Sequence, residues 1–363
     1  MRLLLLMLFG SKAMLNNLTN FWYLLAVTGD TNAEDIVDGA INGSRMVVSS
    51  FNQDWQDLAN GNSEVFKAVV AVSALCGVVF VSFWSISWYS RLIQEGFSHE
   101  ILNEMVYPLL VCLMLTVNNG QLLATTSLMF RNVAVNLNDK VLSITRNGIT
   151  LRDAIRTANM DQAFAISVQT QLQECEKEPE NGVDDQGQKI NPREICRDEK
   201  INQAKNNAQK YKEKHGLSSY SNSWNPLDIA GQTINSMVQA LSWIIFSGLQ
   251  AAFQYVVQVA FLLNAYIAPI FLVLSLFPFG AKPIYAWVAG WLALTLVLMS
   301  YSIVCGMAAS AIVNASNNNP LFLQLVQAIL SPILALAMGS GGGMAAFSCF
   351  SSSGRLISGR VFR

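Results

Sequence analysis

Runs of apolar residues long enough to cross a bilayer recur along this chain. A helix needs about 20 mostly apolar residues to span roughly 30 Å of hydrocarbon. The clearest run is Val65 to Trp88, which carries Lys67 near one end and Phe83, Trp84, Trp88 and Tyr89 near the other. That is the pattern of a snorkelling cation and an aromatic belt. Met105 to Phe130 is a second span, interrupted by Asn118-Asn119-Gly120-Gln121. Met105 to Val117 alone is too short, so the polar cluster is expected inside, or at the end of, a tilted helix. From Met237 to Phe279 the apolar run exceeds one crossing and contains Asn264 and Pro269, where a helix kinks. It reads either as one long bent helix or as a span plus a re-entrant piece. Tyr285 to Val313 and Leu321 to about Phe350, separated by the turn Asn314 to Pro320, read as a hairpin of spans.

The polar stretches divide the rest. Arg2 followed by LLLLMLF and then Gly10, Ser11 and Ala13 resembles a short signal sequence, and equally suits a retained interfacial segment. Thr31-Asn32-Ala33-Glu34 matches a capping box, and Val37, Ile41, Val48, Phe51, Trp55 and Leu58 recur at helical spacing. This amphipathic helix is expected on the outer leaflet, on a partner, or on the chain's own large loop. The loop, Asn132 to Gly231, starts with a helix-like stretch continuing from Arg131 to Met160 and is strongly charged from Glu174 to Lys214. Its only basic cluster, Lys205, Lys210, Lys212 and Lys214, reads as a solvated helical face. Cys175 and Cys196 sit among Glu176, Glu178, Arg193 and Arg197, so they are most simply paired, in an oxidising compartment. With that loop outside, Arg91, Lys282 and the tail residues Arg355, Arg360 and Arg363 obey the positive-inside rule.

The expected architecture is therefore an all-α, polytopic helical membrane protein of about five spans with a large extracytoplasmic helical loop. Its regions are an N-terminal extracytoplasmic or interfacial part (1–62), two spans (63–131), the large loop (132–231), a transmembrane helical cluster (232–350) and a basic cytoplasmic tail (351–363).

Composition supports this and removes alternatives. Of 363 residues, 52% are hydrophobic and only 13% are charged, against about 25% in ordinary soluble domains. A net charge of −1 speaks against an electrostatic nucleic-acid binder or an acidic disordered tail. Between Asp228 and Arg355 the only Lys, Arg, Asp or Glu is Lys282. Energy coupling within this chain is thus disfavoured, since pumps need intramembrane ionisable groups. The two histidines, His99 and His215, are far apart, and no phosphate-binding loop, dinucleotide fingerprint or nucleophile elbow occurs. Cys76, Cys112, Cys305 and Cys349 read as small core residues. No catalytic residue, cofactor or metal site is expected.

Two uncharged features remain. Gln250, Gln254 and Gln258, spaced by four, share one helix face, with Gln239 and Ser247 close to the stripe. They are expected to bond across helices or to line a wet lumen. Gly339, Gly341, Gly342 and Gly343 lie within the last span, and suggest close backbone packing or a hinge.

The segment from Asn264 (NAYIAPIFLVLSLFP) and the following Ile284 to Trp291 (IYAWVAGW) resemble the central region of TrbL-like polytopic inner-membrane subunits of type IV secretion and conjugal transfer machines. The order of an extracytoplasmic N-terminal part, two spans, a large periplasmic loop and a helical cluster resembles that family as well. The resemblance implies a non-enzymatic scaffold or channel subunit in the bacterial inner membrane, with the N-terminus and large loop periplasmic and the C-terminus cytoplasmic. It implies several copies in a homo-oligomeric ring, other secretion-machine subunits as partners, and protein or DNA as transient cargo. A stand-alone channel or permease for a small solute, or an accessory subunit of another membrane complex, are the alternatives.

Overall fold

The computed structural model describes residues 51–96, 98–159, 172, 175–183, 189–214, 236–276, 282–313, 322 and 325–361. The signal-like segment, the capping box at Thr31, the Asn314 to Pro320 turn and His215 lie outside these residues. The chain is mostly helical and divides into two units, one containing Arg156–Trp243 and the other Ser44–Ile155, Ile244–Asn314 and Leu321–Arg363.

The second unit is a helix bundle. A helix ending at residue 59 (α1) leads into α2 (Glu64–Glu95), α3 (His99–Thr116) and α4 (Gln121–Leu142). A short α5 (151–159) contains the boundary between the units at Ile155/Arg156. The chain returns through α7 (Ser236–Tyr266), α8 (Ala268–Leu274), α9 (Lys282–Val313), a π-helical turn (Val326–Leu330) and α10 (Ser331–Val361). Four stretches are long and apolar enough to cross a membrane: Glu64–Gln94, Pro108–Leu142, Lys282–Val313 and Val326–Ser352. The pair Gly248–Tyr266 and Ala268–Leu274, bent by 42°, makes a fifth if counted as one span.

Each boundary has a local cause. At the start of α2 the Ser63 hydroxyl accepts from the Phe66 amide, and Glu64 stands in the first turn, where the helix dipole favours an acid. The face of α2 away from the bundle is apolar and uncovered, with Leu75 71% and Phe83 69% exposed. An exposed apolar surface of that length is the signature of a lipid- or protein-facing helix.

The polar cluster at Asn118 does not sit within a continuous helix. Asn118 and Asn119 have φ of 47° and 54°, and Gly120 has φ of 79°, so three left-handed residues separate α3 from α4. Asparagine and glycine tolerate this region because a short polar side chain, or none, avoids the clash that other residues meet. Gly120 is also held tightly: a Cβ there would lie 2.8 Å from Val70 Cγ2 of α2. The Gln121 amide donates to the Ala59 carbonyl at 3.4 Å, tying the break to the α1–α2 turn.

Helix α4 runs through the expected 131/132 boundary, and the helix-like stretch to Met160 is not continuous. Thr145–Arg146 (β1) pairs with Ile149–Thr150 (β2) across Asn147-Gly148, both at positive φ. Asn-Gly is the preferred sequence of a two-residue hairpin turn. Thr150 then caps α5 by accepting from the Asp153 amide at 3.1 Å.

Of the expected amphipathic N-terminal helix only the end from Phe51 is described, and that end lands elsewhere than expected. In its described part, Phe51, Trp55 and Leu58 are buried in the core of the bundle. Phe51 meets the ring of Tyr255 at 5.1 Å, and the Arg131 guanidinium stacks over Trp55 at 4.9 Å. These three residues of the stripe complete the core of the bundle itself.

In the other unit, Gly182–Val183 (β3) pairs with Lys189–Ile190 (β4), and α6 spans Pro192–Lys214. Asn191 accepts from the Glu194 amide through Oδ1 at 3.3 Å, with Pro192 at the first helical position. Leu172, Ile201 and Ala204 form a small core. Lys205, Lys210 and Lys214 are exposed.

Candidate functional site: a polar seam in the helix bundle

Asn264, Pro269 and the Trp-bearing start of α9 meet in one knot. Helix α7 ends at Tyr266 and α8 begins at Ala268 with Pro269 in its first turn. Pro269 has no N–H, so the Ala265 carbonyl loses its usual donor four residues on, and the axis bends. The neighbouring carbonyl, that of Asn264, accepts from Trp287 Nε1 at 2.9 Å. Gly290 makes the approach possible, since a Cβ there would lie 3.1 Å from Asn264 Oδ1. Phe130 stacks on Trp291 and meets Trp287 edge-on, with ring centroids 5.7 and 5.6 Å apart, and Phe261 joins Trp291 at 5.8 Å. The structure thus gathers the described part of the first segment, residues 264–276, and the segment 284–291 on one bend.

Further along, the glutamine stripe meets α9. Gln250, Gln254 and Gln258 are all half-buried. The Tyr301 hydroxyl has Cys305 beside it on α9 and the amides of Gln254 and Gln250 facing it from α7, although none closes a well-formed hydrogen bond. Two of the three glutamines therefore face a neighbouring helix of the same chain. Cys305 in turn lies beside Ser331 at the start of α10. The result is a seam of uncharged polar groups crossing from α7 through α9 to α10. Of the cysteines expected to be core, only Cys305 is buried; Cys76 and Cys349 are exposed on their helix faces and Cys112 is half-buried. Those two thiols occupy positions that face away from the bundle.

Three of the four glycines of the run pack closely against α9. Helix α10 continues through it without a break. A Cβ at Gly339 would overlap Val297 Cγ2, one at Gly342 would overlap Leu296 Cδ1, and one at Gly343 would lie 2.7 Å from Ala293 Cβ. Gly341 has open space. Gly339 and Gly343, four apart, let α10 lie backbone-close along α9, as small residues do at membrane helix interfaces. The contacts run antiparallel: Gly343 meets Ala293 and Gly339 meets Val297.

Cys175 and Cys196 are joined by a disulfide with Cα atoms 5.6 Å apart. The bond closes a loop between residues 21 apart in sequence, which constrains the unfolded segment by about 3 kcal/mol. A Cys175→Ser/Cys196→Ser variant is expected to lose stability on that scale, read as faster limited proteolysis between residues 172 and 214. Mass spectrometry of native membranes under non-reducing conditions should find the two peptides linked. Arg193, in the first turn of α6, pairs with Glu180 and donates through Nε to the Glu178 carbonyl, tying α6 to the segment after Cys175.

Among the described residues no group of three or more His, Cys, Asp or Glu side chains is placed to hold a metal ion. The buried amide of Gln327 was not singled out in the sequence, because its burial depends on how α9 and α10 pair. No protein-family model, curated protein or solved structure matches the chain.

Proposed function

We propose that this chain is a non-enzymatic scaffold or channel subunit of a type IV secretion or conjugal transfer machine in the bacterial inner membrane. The observation that carries the reading is the knot at Asn264, Trp287 and Gly290, in which the segments resembling TrbL-like proteins form one bent, aromatic-lined element. A five-span topology agrees with it: the disulfide of the large loop suits the periplasm, and Arg91, Lys282 and the basic tail suit the cytoplasm. Several copies would form a ring beside the other machine subunits, with ATP hydrolysis supplied by partners and the protein or DNA cargo touching the chain transiently.

The second reading, a stand-alone channel for a small solute, draws on the polar seam at Gln254 and Tyr301. Removing the chain from its native host separates the two. The scaffold reading expects transfer of the mobile element to recipient cells to fall at least a thousandfold and to return on complementation, while the purified chain in liposomes passes no small solute. Undiminished transfer, or a liposome flux abolished by Gln254→Leu, would leave the solute channel as the better account.

A further inference from the structure

Gln327 is fully buried, and neither its amide oxygen nor its amide nitrogen has a hydrogen-bond partner among the described protein groups. One turn on, the Ser331 hydroxyl is equally buried and equally unpartnered, and so is the hydroxyl of Tyr301, which is 7% exposed. Buried polar atoms are nearly always bonded, because leaving them dry costs much of the free energy of the lost water contacts. Several such atoms in one place point to a common partner.

The helix pairing puts them in one line. Gly343 meets Ala293, Gly339 meets Val297 and Ser331 lies beside Cys305, so each step of four along α10 matches four back along α9. Gln327 stands four residues before Ser331 in the turn that opens α10, and Ala309, four residues after Cys305 on α9, is a fully buried small residue. The backbone at Gln327 is the π-helical turn Val326–Leu330. Such a wide turn loosens the helix and recurs where a helix carries function.

We infer that the turn Val326–Leu330 is an internal hydration site, in which Gln327 and Ser331 hold a short file of water molecules running along α9 past Cys305 to the Tyr301 hydroxyl. From the level of Ala309 to Tyr301 is two helical turns, roughly 11 Å. That is the length of three or four water molecules at ordinary hydrogen-bond spacing of about 2.8 Å. The donor set selects water over a cation: Gln327 Nε2 can only donate, and a bare cation would leave it unbonded while engaging only oxygens. Water accepts and donates, and satisfies both ends of the amide. The inference concerns the bundle of a single chain and stands whether or not the chain belongs to a secretion machine.

The test is X-ray radiolytic labelling of the full chain in lipid nanodiscs, in which bound water is split to hydroxyl radical and oxidises the side chains beside it. After correction for intrinsic reactivity, Tyr301 and Cys305 should be oxidised at least tenfold faster than Phe261 and Trp287, which are about as buried. In a Gln327→Leu/Ser331→Ala variant, which removes the polar anchors, the rate at Tyr301 should fall about tenfold. If that variant does not fold, Gln327→Met, which keeps the volume and removes both polar atoms, takes its place. Labelling of Tyr301 no faster than that of Phe261, or unchanged in the variants, would overturn the inference. So would labelling suppressed by sodium or potassium but not by choline, which would assign the site to a cation.

Discussion

Replacing Gly339 and Gly343 together by valine should lower the stability of the bundle by about 4 kcal/mol, since overpacking costs about 1–3 kcal/mol at each site. At Gly339 the added Cβ overlaps Val297, and at Gly343 it lies 2.7 Å from Ala293 Cβ and 3.8 Å from the Ala289 carbonyl. Backbone on the facing helix cannot swing aside as a side-chain tip can, so α9 and α10 must separate along their shared length. The two sites share one interface, and the double effect is expected to differ from the sum of the singles. Gly341→Ala is the matched control. It enters open space within the same helix and should stabilise it by up to about 1 kcal/mol through helix propensity alone. Thermal unfolding of the detergent-solubilised chain reads both. Equal loss at Gly341 and Gly343 would mean that α10 does not use this face.

Gly120→Val should cost about as much, roughly 4 kcal/mol, from two separable causes. A β-branched residue in the left-handed region costs about 1–2 kcal/mol, and the overlap with Val70 adds about 1–3 kcal/mol. The present geometry, φ of 79° and a virtual Cβ at 2.8 Å from Val70 Cγ2, contains both. Trimming the neighbour distinguishes them. In a Val70→Ala background the same substitution should cost only the backbone part, about 2 kcal/mol. If Val70→Ala restores nothing, the contact between α2 and the break is not what holds Gly120.

What the sequence shows well is what solvent dictates along a single helix. Val65 to Trp88 is recognisable as a helix because almost every position is apolar, and it appears within α2 (Glu64–Glu95). Pro269 marks the bend because a missing N–H acts locally. The hairpin at Asn147-Gly148 was also legible in principle, since that dipeptide between Thr145 and Thr150 is a turn signal, but the apolar period of the flanking helices outweighs it. The break at Asn118 is visible as polarity, whereas its left-handed backbone is not, because hydropathy says nothing about the sign of φ. The partner of Phe51, Trp55 and Leu58 was illegible for another reason: an amphipathic stripe shows that something covers it, not which surface does. The polar seam lies furthest from the sequence. Tyr301, Cys305 and Ser331 acquire meaning only when Gly339 and Gly343 bring α10 against α9.

The hydrogen bond from Trp287 to the Asn264 carbonyl has a consequence for how the chain is made. Its donor comes 23 residues after its acceptor, so a ribosome delivers the bend before the indole that completes it. In hydrocarbon a bare carbonyl is costly. In the membrane topology proposed above, α7 and α8 would then wait at the insertion machinery until α9 has emerged, and the three would enter the lipid together. Trp287→Phe keeps the ring and removes the donor, which turns a bond in the finished protein into a determinant of biosynthetic order.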